Sequence, residues 1–515
     1  MIPLIVTLPL LFSFIVTIST FFKTFERYLK PIFLIGIFSA WPIFLLNMSD
    51  LPVTTVIGGW TRISGIEIEI NSLNYYLILV ELIVFSLVGV YSLFYFDREK
   101  SREGSFSSKF VFPLILLLYS GILGCFLTRD LFNFYVYMEI ASLSSIILVA
   151  YSKEKGAIYA SYRYLMMFFL SSFLFIFAIG IIYIKTGTLN FNLIQQNLVM
   201  SREIRIAITI AFIAFITKAG IFPVHYWLPE AHSKAETPIS ALLSGLTVKV
   251  PIAGMLLFLT YMNIEFLTNP LRILAFASIF FGIIMAILQS NVKKILAYST
   301  VSQMGFILLA ISTLNVEAAV YYAFAHALFK SGLFLGMGVL IKKQGTKDID
   351  ELFYREDSLI MISLIILTLA IGGFSPLIGA FGKHEILSAL SGYWIYLFYM
   401  GSIGTFTYFI NLNYKLFDYR SLTIPSFNIE SVITFIIALL TILFGVFYYP
   451  NLNNLDLILI AISVLIFIVF NYMDVFEKTS PTYFKRDIRG LGSEINFYTA
   501  IFVFVNILLL VYILY

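Results

Sequence analysis

Long apolar runs separated by short polar stretches dominate the chain, at about 2–22, 31–47, 73–96, 110–127, 131–150, 159–184, 205–222, 237–262, 270–289, 295–313, 317–341, 358–381, 393–416, 429–449, 455–472 and 497–515. An α-helix of roughly 20 apolar residues crosses the hydrocarbon of a bilayer, so the pattern predicts sixteen spans. The longest polar connections, 48–72 and 473–496, carry no catalytic cluster. Lys and Arg alternate in phase with the spans: 23 fall in odd-numbered connections and 6 in even-numbered ones. Because short cationic loops resist translocation, this asymmetry predicts that both termini lie on the outer face. Lys478, Lys485, Arg486 and Arg489 keep the phase only if the fifteenth run is a span.

Composition agrees with the pattern. Of 515 residues, 60% are hydrophobic and 12% charged, and the mean hydropathy is +0.94. A soluble domain carries about 25% charge, so a soluble catalytic domain is excluded. The predicted fold is an all-α polytopic membrane protein of about 14–16 transmembrane helices. The first run is long and has no cationic segment before it, so it reads as a span rather than a secretory signal. A single cysteine, Cys125, permits neither a disulfide nor a four-cysteine iron–sulfur cluster. The net charge of +4 is too small to argue for nucleic acid. There is no phosphate-binding glycine loop, and the four histidines lack metal-ligand spacing. No cofactor, metal site or redox catalytic residue is expected. The energy for any transport must come from an ion gradient or a partner chain.

Ionisable groups inside the apolar runs are the informative exceptions, since each costs several kcal/mol at mid-membrane. Glu139 lies in the fifth run, Lys218 in the seventh, Lys249 near the middle of the eighth and Lys330 near the middle of the eleventh. His326 precedes Lys330 by one helical turn on the same face, and Lys383 follows the twelfth run. Four such lysines are too expensive to be accidental together. His225, His232 and His384 are possible accessory groups, as is Glu81, for which a local partner or subunit contact is the blander role.

Helix breakers point to the same places. Gly220, Pro223 and Pro229 follow Lys218, and Gly372, Gly373, Pro376, Gly379 and Gly382 precede Lys383. Broken helices beside charges suggest ion sites, and the seventh and twelfth spans run in opposite directions. The predicted organisation is therefore an N-terminal part (1–109), two inverted-topology five-helix repeats (110–262 and 263–416), each a half-channel, and C-terminal helices (417–515).

Several motifs in order carry a resemblance. They are the run from Asp130 to Glu139, the run from Lys218 to His232, Ser240 to Lys249, the run from Leu296 to Gly305, and His326 to Lys330. Over about 110–390 the chain resembles the antiporter-like proton-channel subunits of respiratory complex I, a family that includes Mrp-type cation/proton antiporter subunits and the ion-pumping subunits of membrane-bound hydrogenases. The resemblance implies that Glu139 and Lys218 form an ion pair. Glu139 then tunes the proton affinity of Lys218, the gate, and Lys249, His326, Lys330 and Lys383 form a hydrated path ending at Lys383. Two stretches depart from the usual pattern: Glu236-Thr237-Pro238, and Val250-Pro251 directly after Lys249. The implied protein is a proton-translocating, antiporter-like subunit of a multisubunit complex. That complex is either redox-driven, like a membrane-bound hydrogenase or NADH dehydrogenase, or an Mrp-type antiporter. It sits in a prokaryotic plasma membrane with other membrane subunits, with protons and possibly Na+ as the ions. A stand-alone secondary transporter of a small solute is the alternative.

Overall fold

In the computed structural model, which describes residues 1–22, 25–99, 108–354, 357–417, 428–473 and 475, helix occupies every apolar run from the first to the fifteenth. The sixteenth run, 497–515, lies outside the described residues, as do Lys478, Lys485, Arg486 and Arg489. Among the described residues, eleven helical segments are long and apolar enough to cross a membrane, and Val111–Leu127 and Ser358–Gly372 are shorter apolar helices. The protein is an all-α polytopic membrane protein with one small hairpin.

The chain divides into two units. The first comprises Met1–Ala219 and Lys234–Leu267. It holds α1 (Leu4–Phe21), α2 (Leu29–Phe38), α3 (Ala40–Leu46), α4 (Asn74–Glu99), α5 (Val111–Leu127) and α6 (Leu131–Val149). After these come α7 (Lys155–Thr186), α8 (Phe191–Asn197) and α9 (Arg202–Lys218). The short α10 (Trp227–Lys234), which belongs to the second unit as far as Ser233, precedes the first unit's α11 (Thr237–Leu242) and α12 (Lys249–Tyr261). The second unit comprises Gly220–Ser233 and the described residues from Thr268 on. Its helices are α13 (Thr268–Ile287), α14 (Val292–Ser312), α15 (Val316–Gln344), α16 (Ser358–Gly372), α17 (Ile378–Ser388), α18 (Trp394–Leu416), α19 (Ile429–Tyr448) and α20 (Asn454–Tyr472).

Local chemistry sets the helix ends. Side chains of Asp130, Ser201, Asn291, Asn315, Asp357 and Asn453 each accept a hydrogen bond from a first-turn amide, satisfying donors that have no intrahelical partner. Burial separates central from peripheral helices. The segment Thr237–Tyr261, α14 and α15 are almost wholly buried, whereas α20 is mostly exposed. Large apolar side chains such as Phe169, Phe173 and Phe177 on α7 and Leu465 and Ile468 on α20 point outward, as lipid-facing positions do.

One element departs from the sequence reading. The connection 48–72 is not plain loop but contains β1 (Val53–Val56) paired antiparallel with β2 (Glu67–Ile70). The alternation Ile66-Glu67-Ile68-Glu69-Ile70 is a strand signal with period two, and its glutamates face a polar network rather than solvent. Glu67 is buried, pairs with Arg62 at 3.1 Å and accepts from Asn190 Nδ2 at 2.8 Å. Arg129 Nε lies 3.3 Å from Glu69, and the Arg129 amide donates to the Glu67 carbonyl at 2.8 Å. The hairpin thus ties together the chain between α5 and α6 and the start of α8.

Candidate functional site

In the first unit, α6 and α9 bring Glu139 and Lys218 together. Lys218 Nζ donates to Glu139 Oε1 at 3.0 Å and to Ser142 Oγ at 3.2 Å, and it lies 4.6 Å from the centre of the Phe168 ring. Ser172 on α7 donates to the same Glu139 oxygen at 2.5 Å. The lysine side chain is buried, while that of Glu139 keeps 27% of its surface open. Lys218 is the last residue of α9, so the seventh run is helical only to that point and not to 222. Gly220 follows at φ +67°, a left-handed conformation that a side chain disfavours. Lys218 thus stands in the last turn of α9, the end of the helix dipole that favours a cation.

Lys249 is also buried, and its Nζ donates to the Ser244 carbonyl at 2.7 Å. That carbonyl belongs to a π-helical turn, Leu243–Thr247, between α11 and α12. A π turn disturbs the regular ladder and leaves carbonyls available to other donors, and such turns cluster at functional sites. Sequence patterning gave no sign of it, because a single inserted residue does not interrupt an apolar run.

In the second unit, Lys330 is buried on α15, donates to the Leu296 carbonyl at 2.8 Å and is hydrogen-bonded to Ser299 Oγ. His326, one turn away, is buried with its ring 5.4 Å from that of Phe329. Along α14, Leu296, Ser299, Gln303 and Phe306 follow at helical spacing and so share a face. Gln303 Oε1 accepts from the Tyr322 hydroxyl, and Gln303 Nε2 donates to Thr405 Oγ1 at 3.5 Å. Phe306, at the far end of the row, lies 4.7 Å from Lys383 Nζ. One face of α14 therefore carries polar groups from Lys330 to the neighbourhood of Lys383. Ser299 and Gln303 lie within the resemblance run from Leu296 to Gly305, and Tyr322 lies outside it on α15; the pattern of apolar positions marks none of the three.

The twelfth run is broken, and Lys383 lies beyond the break within α17 rather than at a free end. Gly373, at φ +93°, ends α16, and Lys383 Nζ donates to the Gly372 carbonyl at 2.7 Å. Each break thus lies beside a buried lysine: Lys218 ends α9 and bonds side chains of α6, and the Lys383 amine bonds the last carbonyl of α16.

The accessory residues separate. His225 packs among Phe222, Phe281 and Tyr298, and His232 stacks on Phe334 at 4.7 Å. Both sit in aromatic surroundings. Glu81 is completely buried on α4. His384 is paired with Asp456 of α20 at 3.4 Å. No grouping of His, Cys, Asp and Glu that could hold a metal ion occurs among the described residues.

Residues 128–408 match the family described as NADH:quinone oxidoreductase/Mrp antiporter, transmembrane. The chain is 29% identical over 402 residues to a Na(+)/H(+) antiporter subunit of Bacillus subtilis (strain 168), covering 74% of this chain and 79% of that one. It is 30% identical over 374 residues to an NADH-quinone oxidoreductase subunit of Desulforudis audaxviator (strain MP104C), covering 69% and 74%. Among solved structures, it superposes on a chain of the membrane-bound sulfane sulfur reductase, an archaeal respiratory membrane complex, with TM-score 0.78, 25% identity and coverage of 92% of this chain and 98% of that one. The match spans both broken helices and every buried lysine described above, and the chain belongs to the NADH:quinone oxidoreductase/Mrp antiporter transmembrane family.

Proposed function

We propose that this chain is a proton-translocating, antiporter-like subunit of a multisubunit membrane complex, either a redox-driven pump or an Mrp-type antiporter. The observation that carries the reading is the pairing of Glu139 with the buried Lys218 at a helix break. Two unit charges 4 Å apart attract by about 4 kcal/mol at an effective dielectric near 20. Closing the pair holds a proton on the amine. Opening it leaves an ammonium in apolar surroundings, where losing the proton relieves the desolvation cost. Moving one charge against 100 mV costs about 2.3 kcal/mol, so one opening event is of the right size to drive one proton. The proposed order of carriers is Lys218, Lys249, His326 and Lys330, then Lys383. The stretches 110–262 and 263–416 act as two half-channels.

Glu139 also argues for partners. An acidic side chain with a quarter of its surface open on a membrane helix is costly against lipid, so a neighbouring subunit covers it. The proposed setting is the plasma membrane of a prokaryote, with both termini outside, and the ions are protons or protons and Na+.

Purifying the tagged chain from its native membrane and identifying its companions distinguishes the parent complexes. Reconstituting that complex in liposomes with an internal pH dye tests translocation. Proton movement on energisation is expected, and a small solute carried by the isolated chain would overturn the reading. In the same assay Gln303→Leu, which fills the space but removes both hydrogen bonds, is expected to lower proton flux about threefold while assembly is kept. An unchanged rate would remove the α14 face from the path.

A further inference from the structure

The second unit carries a polar cluster just beyond Lys383 to which the path above assigns no role. Asp456, on the first turn of α20, is almost fully buried. Its Oδ2 accepts from the Ser375 amide at 3.2 Å, and its Oδ1 lies 3.4 Å from His384 Nε2. The same Nε2 is 3.2 Å from Asn453 Nδ2. That nitrogen thus has a partner in each protonation state: when it bears a proton it can donate to Asp456, and when bare it can accept from the Asn453 amide. Tyr449 stacks on the imidazole at 4.9 Å and fixes its plane. Lys383, His384 and Asp456 line one pocket, with about 20 Å³ of room for water, enough for one molecule. The imidazole is 22% exposed, so the cluster runs from the buried amine to the surface.

We infer that His384 and Asp456 form a proton mouth, a site that passes protons between Lys383 and the aqueous face onto which α17 and the start of α20 open. The inference rests on the proposed function, because it needs protons to arrive at Lys383. A carboxylate anchored by one backbone amide and an imidazole with two alternative partners can take up and release a proton with small movements. The other ionisable groups here are the phenols of Tyr399, which lines the pocket, and of Tyr449, together with Glu385 next to His384 in the chain. Among the residues lining the pocket, Asp456 is the one carboxylic acid. By the charge asymmetry of the sequence, this face is the outer one. Helix α20, which follows the matched region 128–408, thus supplies an acid to the site.

The test uses the whole complex in liposomes. Asp456→Asn keeps an acceptor for the Ser375 amide but cannot carry a proton. It is expected to lower proton flux about tenfold, with partial recovery when millimolar formate supplies a diffusible proton carrier. His384→Gln should lower flux severalfold and recover with imidazole. Wild-type complex at the same formate and imidazole concentrations provides the reference. A purely structural role would lose assembly or rate without rescue. If Asp456→Asn does not assemble, His384→Gln decides, because the ring is partly exposed and anchors no backbone. Full flux in both variants, or a loss that neither small molecule restores, overturns the mouth. Lys218→Ala in the same preparation keeps the two ideas apart: if it too retains full flux, the proposed function fails, whereas if it alone blocks flux, only the mouth fails.

Discussion

Lys218→Ala is expected to reduce proton translocation to below about one-hundredth of the parent rate while the complex still assembles. The amine makes the 3.0 Å bond to Glu139 and the 3.2 Å bond to Ser142, and alanine can replace neither. Glu139→Gln keeps a carbonyl oxygen for the Ser172 hydroxyl but removes the charge that holds the ammonium in place. It should cost flux to a similar degree. Because the two side chains touch, their losses should not add: the double variant is expected to be no slower than Lys218→Ala alone. Dye-reported proton movement in liposomes measures all three. Normal flux in Lys218→Ala would refute the assignment of this pair as the gate.

The second large effect is structural. Gly379 lies on the first turn of α17, where an added Cβ would collide with the backbone carbonyl of Ala370 in α16. A flexible side chain could turn aside, but helix backbone moves only by displacing the helix. Gly379→Ala should therefore push α17 away from α16, break the bond between Lys383 and the Gly372 carbonyl, and destabilise the second unit by about 3 kcal/mol. Gly180→Ala is the matched control, since nothing lies within 4 Å of its added carbon. There the better helix propensity of alanine should add up to about 1 kcal/mol. Thermal unfolding of the detergent-purified complex compares the two, and equal midpoints would show that α16 and α17 are not held at this contact.

Much of this architecture was legible in the chain because lipid imposes a coarse code. A twenty-residue apolar run has few alternatives, so the helices fall where the pattern puts them, and even the short second and fifteenth runs are helical. The buried lysines were legible for the same reason: a charge in such a run is conspicuous. What escaped has a common cause. Ser142, Ser172, Ser299, Gln303 and Tyr322 are ordinary residues of membrane helices, and only the packing of one helix on another makes Ser142 and Ser299 partners of a lysine, Ser172 a partner of Glu139, and Gln303 a partner of Tyr322. Asp456 looked like the polar start of a span, and its meeting with His384, 72 positions earlier, is a property of the fold. Glu67 and Glu69 were passed over because a short strand leaves a faint trace beside long hydrophobic runs.

The π turn at Leu243–Thr247 sets the register of everything downstream in its helix. Each residue of an α-helix advances about 100° around the axis, so trimming one residue from that turn would restore a regular spiral and swing the Lys249 amine roughly a quarter-circle away from its present bearing. Length is thus constrained here as tightly as side-chain identity. A single-codon deletion in this segment would be a substitution of direction, with every residue type still in place.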